Sequence, residues 1–260
     1  MQRYIRILGV IAVMVALAAS FAAPSGSARA AGIATGRGWY LRNFNTGGVA
    51  SVGFFYGLPG DIPIAGDWNG DGIDTPGVVR GNVWYLSNTL SGGIATKVFT
   101  YGLPGDKPIV GDWNGDGYDT IGVVRGSTWM LRNSNSSGVA SATFSYGAYT
   151  DRPIVGDWNG DGIDTPGVVR GSAWLLRNFN SNGIANISFN YGAYTDRPIV
   201  GDWNRDGVDT PGVVRGNSWL LRNFNSNGIA NVAFAYGAYT DFPVVGDWNA
   251  DGYDTPGVVR

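Results

Sequence analysis

The residues able to do chemistry in this chain are aspartates. All 20 acidic groups are Asp, and Glu, His and Cys are absent. Most of them fall in five short loops. The first, Asp67-Trp68-Asn69-Gly70-Asp71-Gly72-Ile73-Asp74, puts side-chain oxygens at positions 1, 3, 5 and 8 and a glycine at position 6. The pattern returns at Asp112, Asn114, Asp116, Tyr118 and Asp119, and at Asp157, Asn159, Asp161, Ile163 and Asp164. It appears twice more, at Asp202, Asn204, Asp206, Val208 and Asp209, and at Asp247, Asn249, Asp251, Tyr253 and Asp254. A hard cation such as Ca²⁺ takes six to eight oxygens, and alternate side chains curling around one centre supply the first of them. Position 7 (Ile73 and its equivalents) would add a backbone carbonyl, and the glycine makes the sharp turn. Three carboxylates in one loop repel one another when no cation is present. The expected affinity is that of extracellular modules, on the order of 10⁻⁴ to 10⁻³ M. The same letters also write a hairpin turn in which Asp and Asn bond their own backbone, so both readings stand at this point.

Composition removes other chemistries. With neither His nor Cys, a tetrahedral zinc site lacks its normal ligands, and Ser-His-Asp or Cys-His catalysis lacks its base. A net charge of −2 and a pI near 5.0 give no basic footprint for nucleic acid. A glycosidase needs two carboxylates in different environments, whereas every carboxylate here belongs to a repeated set. No enzyme is expected. Arg80, Arg125, Arg170, Arg215 and Arg260 recur with the aspartates, and structural ion pairing with either the fourth aspartate of each set (Asp61 and its equivalents) or the loop carboxylates is the expectation. Trp68 and its four equivalents are expected to pack between structural units rather than to stack on sugars.

The elements that position these loops follow from a strict period of 45 residues, which gives repeats at 36–80, 81–125, 126–170, 171–215 and 216–260. Such a period signals a solenoid, propeller or array. Each repeat reads as four short strands: Pro63 to Asp67, Thr75 to Arg80, Trp84 to Leu86 and Phe99 to Tyr101. Gly81-Asn82 makes a two-residue type II′ hairpin between the second and third. The third strand is expected to be buried on both faces and the fourth to be a half-exposed outer strand. Four antiparallel strands per repeat predict an all-β fold, a five-bladed β-propeller. Its ring would be closed by a split blade joining the N-terminal strands of the domain to its C-terminal strands. An open β-solenoid is the alternative.

Ahead of the repeats, Arg3 and Arg6 precede an apolar run from Ile7 to Ala23 and then Ala28-Arg29-Ala30. This is the layout of a secretory signal peptide over residues 1–30, followed by a short linker at 31–35. At 17 residues the apolar run falls short of the roughly 20 needed to span a bilayer. Cleavage leaves a secreted or cell-surface chain, more acidic than the whole sequence and not inserted in the membrane.

Across 36–260, the Asp67-x-Asn69-x-Asp71-Gly72 loop and its equivalents resemble the FG-GAP/VCBS repeats of integrin-α-like β-propellers and their bacterial secreted relatives. The resemblance implies calcium between the first two strands of each blade and a role in extracellular adhesion or recognition. One departure concerns the last carboxylate, which that family usually places at position 9; here Asp74 is at position 8 and Thr75 at 9. A clear Phe-Gly…Gly-Ala-Pro run is also missing. The expected function is a non-catalytic, calcium-binding recognition or adhesion module, monomeric, with a glycan or protein ligand. Trp, Tyr, Asn and Asp suit carbohydrate. The alternative is a purely structural cell-envelope protein with calcium as a stabiliser, and a polysaccharide-degrading enzyme is a more remote one.

Overall fold

A computed structural model describes residues 36–260. The expected signal peptide (1–30) and linker (31–35) lie outside the described residues. Each blade is an antiparallel sheet of four strands, and in four of the five the strands are taken in sequence order. In the first, β3 (Ile62–Gly66), β4 (Thr75–Arg80), β5 (Val83–Leu86) and β6 (Lys97–Thr100) are neighbours in that order. Gly81 opens the β4–β5 turn with φ of 64°, the value a type II′ turn needs at its first central residue. β4 has five of its six residues buried, because it is flanked by strands on both edges and by blades on both faces. On β5, Trp84 and Leu86 are fully buried and Tyr85 is half-buried; β6 is largely exposed.

Alternation fixes register. Trp84 sits opposite both Val79 and Phe99, and its ring stacks on Phe99. The same pair recurs in all five blades, with ring centroids 6.0 to 6.5 Å apart. Each of these indoles also donates a 3.1 Å hydrogen bond to a tyrosine carbonyl, Tyr101 in the first blade, so its polar edge is satisfied inside the core. All ten tryptophans are at most 6% exposed. Trp68 lies in one cluster with Val79 and Trp84 of its own blade and Ile121 and Val123 of the next. The core is therefore a series of apolar seams between neighbouring sheets, and Trp68 packs between blades as expected.

The innermost strands make the ring. β3 touches β7 (Lys107–Gly111), which touches β11 (Arg152–Gly156), then β15 (Arg197–Gly201), then β19 (Phe242–Gly246), which returns to β3. A linear array lacks that last contact, so the fold is a closed five-bladed β-propeller. The fifth sheet has the order β19, β20 (Thr255–Val259), β1 (Arg37–Leu41), β2 (Val52–Tyr56), which is the split blade. Trp39 pairs with Val259, and Gly38 and Arg260 exchange backbone hydrogen bonds of 3.1 and 2.9 Å.

Outer strands leave an edge, and the next blade covers it. The Thr100, Ser145 and Asn190 N–H groups donate to Ser137 Oγ, Asn182 Oδ1 and Asn227 Oδ1, each from the long loop of the following blade. On either side of the closing blade the same loop position is glycine. Gly92 lies against the Phe55 carbonyl and Gly47 against the Ala235 carbonyl. Shielding the edge in this way removes a template for pairing with other chains.

Candidate functional site

Strand direction sorts the loops onto two faces. One face carries the Asp loops and the long loops between the third and fourth strands. The other carries the Gly81-type turns and the connections between blades, with the Asp61-type aspartates.

In the first Asp loop, Asp67 Oδ1 accepts the N–H groups of Asn69, Gly70 and Asp71, and Oδ2 accepts that of Gly72. Asp71 Oδ1 accepts the Ile73 N–H, and Asp71 Oδ2 accepts a 2.8 Å bond from the Asn69 amide. The loop is thus wound around its own first carboxylate. Position 4 takes a left-handed backbone throughout. Gly70, Gly115 and Gly160 have φ of 72°, while Arg205 and Ala250 have 60° and 58°. Holding a non-glycine residue there costs roughly 1 kcal/mol, so the position is replaceable at a price in strain.

For calcium, the donor chemistry of the loop fits and its geometry is self-contained. Asn69 Oδ1 and Asn204 Oδ1 are buried without a hydrogen-bond partner, at the position where a cation ligand is expected. The oxygens of Asp67, however, already accept four N–H groups. Among the described residues, no three carboxylates converge on a point that could hold an ion.

Asp74 and its equivalents do not close on their own loops. Each reaches across a seam. The Asp119 N–H donates to the Asp67 carbonyl, and Asp119 Oδ2 accepts the Asp67 N–H at 2.8 Å. Asp164 with Asp112, Asp209 with Asp157, Asp254 with Asp202 and Asp74 with Asp247 repeat the two-bond latch. Sequence reasoning missed this role. The only signal was the shift from position 9 to position 8. The five latching carboxylates line a central cavity of about 180 Å³ with Ala65, Val110, Val155, Val200 and Val245. Burial pushes Asp119 and Asp254 up to about 7, and Asp74, Asp164 and Asp209 well above the ordinary carboxylate range. Carboxylates of neighbouring loops add to the effect, and among the described residues no cationic side chain lines the cavity.

On the opposite face the expected pairs form. Arg80 bridges Asp61 through Nε and Nη2 at 2.7 and 2.8 Å, and four equivalent pairs follow around the ring. Each carboxylate is almost fully buried and each guanidinium is half-exposed. The arginine hydrogen bond holds the Asp106, Asp151 and Asp196 carboxyls below their ordinary value.

The long loops on the Asp-loop face are braced by arginine. Arg42 Nε donates to the Thr46 carbonyl at 2.6 Å and Nη1 to the Val49 carbonyl at 2.7 Å. Arg132, Arg177 and Arg222 repeat the brace, while Ser87 stands in that place in the first blade. Phe44, Phe179 and Phe224 stack under these guanidinium groups at 5.5 to 5.7 Å, yet remain 58 to 61% exposed. Asn45, Asn135, Asn180 and Asn225 tie four of the five long loops to the Asp loop of the same blade through the carbonyl of its position-8 aspartate, and Leu90 holds that place in the first blade.

Fold and site together define a five-bladed β-propeller whose one face displays aspartate loops and arginine-braced aromatic loops. No family model matches the chain, and no curated protein is similar to it. Among solved structures, one of an Agrocybe aegerita lectin, described by its recognition of non-reducing terminal N-acetylglucosamine, is similar over 85% of this chain and 84% of its own. The identity is 12% and the TM-score 0.46. The resemblance to FG-GAP/VCBS repeats rests on the loop residues themselves.

Proposed function

We propose that this chain is a secreted, non-catalytic recognition module whose Asp-loop face binds carbohydrate, with calcium stabilising the loops. The observation that carries the reading is the arginine brace. It fixes exposed phenylalanines in place before any ligand arrives, so little side-chain freedom is lost on binding. An immobilised aromatic ring offers an apolar plate to the C–H face of a sugar, and adjacent Asn and Asp side chains suit its hydroxyls. Calcium, if bound, would be held by Asp67, Asn69, Asp71 and the Ile73 carbonyl in the first loop, and by their equivalents. It would neutralise the loop carboxylates. Secretion rests on the leader sequence, and the FG-GAP/VCBS resemblance supports both calcium and an extracellular role.

The test is a glycan array and a column of immobilised polysaccharides, each run in millimolar calcium and again in EDTA. Retention by carbohydrate is expected. Millimolar calcium should also raise the melting temperature, and EDTA should reverse the rise. A blank array from folded protein overturns the carbohydrate reading. It would favour a structural envelope protein, a reading supported by the way the Asp67-type carboxylates serve their own turns. A melting temperature indifferent to both calcium and EDTA overturns the calcium reading.

A further inference from the structure

The five seams of the Asp-loop face use the same positions, but one differs in composition. Between the fourth blade and the closing blade, Phe44, Tyr253 and Asp251 line a cavity of about 390 Å³ with Trp203 and Asn45. That volume lies in the range of small-ligand pockets. The residue pairs equivalent to Phe44 and Tyr253 are Thr89 and Ile73, Ser134 and Tyr118, Phe179 and Ile163, and Phe224 and Val208. At these two positions each of the other four seams has at most one aromatic; this seam has two, 61% and 40% exposed.

Arg205 is a second departure at the same seam. It holds loop position 4 of the fourth blade, where three other copies have glycine, and keeps the left-handed φ of 60°. Its side chain lies against Gly252, between the lining residues Asp251 and Tyr253. It is exposed, and none of the five ion pairs among the described residues includes it. Between the first and second blades, Tyr118 instead closes over Gly70. The strained backbone, which among the described non-glycine residues only Ala250 shares, here sets a cation against the segment that carries Asp251 and Tyr253 at the cavity's edge.

We propose that this seam is the principal carbohydrate subsite of the ring and takes one neutral pyranose. The inference rests on the carbohydrate reading above and replaces five equal pockets with one. Phe44 and Tyr253 cover the apolar face of the sugar. Asp251 accepts from hydroxyls and Arg205 donates to them, the pairing that a polyol, donor and acceptor at once, can satisfy. Asp251 in the wall and Asp206 next to Arg205 disfavour a carboxylated sugar.

The experiment titrates the full chain by calorimetry with the methyl glycosides of glucose, galactose, mannose and N-acetylglucosamine, and with glucuronate as the charged arm. The variants are Phe44→Ser, Tyr253→Ile and Arg205→Gly, with Phe179→Ser as the control. Each installs a residue that another blade already carries at that position, so the ring tolerates it. The expected result is one neutral glycoside per chain, weakened about tenfold or more by Phe44→Ser or Tyr253→Ile and untouched by Phe179→Ser. Arg205→Gly is expected to weaken binding while raising the melting temperature. Five equivalent sites, or loss of binding in Phe179→Ser alone, overturns the single subsite and leaves the carbohydrate reading standing. So does retention on polysaccharide by a protein that binds none of these glycosides. Tighter binding of glucuronate overturns the neutral-sugar assignment. A wild-type chain that binds neither glycoside nor polysaccharide overturns both.

Discussion

The two faces of the ring use the same residue in opposite electrical settings. Asp61 and its equivalents are buried beside a half-exposed arginine that bonds both carboxylate oxygens, and the carboxyls of Asp106, Asp151 and Asp196 lie below their ordinary value. Asp74 and its equivalents surround the axis with only backbone N–H groups and one another for company, and their carboxyls are pushed up. Burial alone therefore does not set the state of an aspartate; the partner does. The paired set fastens each blade to the connection that enters it. The axial set fastens each blade to its neighbour.

The largest expected effect tests the two states directly. Asp119 and Asp254 keep their protons in the folded ring up to about 7, while the unfolded chain releases them near the ordinary 3.8. In that window the folded state binds more protons, so stability falls as pH rises. The arginine-paired carboxyls work the other way. Their contribution is complete above the ordinary carboxylate range and is lost as pH falls through their depressed values. Melting curves in EDTA should therefore peak at about pH 4 to 5 and decline on both sides. The double variant Asp119→Asn, Asp254→Asn keeps an oxygen for each latch and removes two of the axial carboxyls. It should make the alkaline limb shallower, with Asp74, Asp164 and Asp209 still contributing to it, and leave the acid limb intact. An unchanged alkaline limb would break the comparison.

A smaller effect is expected from Asp151→Ala. It strands the Ala148 N–H and releases Arg170, at a cost of about 1 to 3 kcal/mol. Each kcal/mol corresponds to about 2 to 4 °C for a domain of this size, read by differential scanning calorimetry. Arg170→Ala should cost less than Asp151→Ala, since the guanidinium is half-exposed and screened by water. The smallest effect serves as a baseline that touches neither aspartate set. Asn182→Gly removes the bond to the Ser145 N–H and makes that seam resemble those flanking the closing blade. The expected loss is about 0.5 to 1.5 kcal/mol, with faster hydrogen exchange at Ser145.

Much of the ring was legible because the repeat is exact. The 45-residue period, the Trp84–Leu86 alternation and the phase of the Asp-loop hairpin against the repeat were enough to place four strands per blade and to split the last blade. Recurrence announced an arginine–aspartate pair in each repeat but not which aspartate, since all four Asp positions recur with Arg80; the fold selects Asp61. What stayed hidden lies across seams. Asp119 meets Asp67, 52 residues away, and Asp74 meets Asp247, 173 residues away. Spacing inside an octapeptide speaks only of that octapeptide, so Asp74 looked like a member of its own loop. The edge covers Ser137, Asn182 and Asn227 read as ordinary loop letters for the same reason. Strand limits moved slightly as well. β3 stops at Gly66 because the Asp67 carboxylate has already begun the loop. The outer strand stops at Thr100, although the Tyr101 N–H still bonds the Asn82 carbonyl.

The split blade bears on how such a ring comes into being. Four blades are each continuous in sequence, so their hairpins can form from local segments. The fifth needs β1 and β20 to meet from opposite ends of the domain, and the loop so closed is long. Contacts of that separation form late, and they govern the speed of the whole process. Until they form, β20 presents an unpaired edge that β1 of another copy fits equally well. Crowded refolding should therefore yield interlocked dimers by exchange of β1 and β2, while dilute refolding favours the monomeric ring. The same clasp is where a pull on the two ends of the domain would first open it.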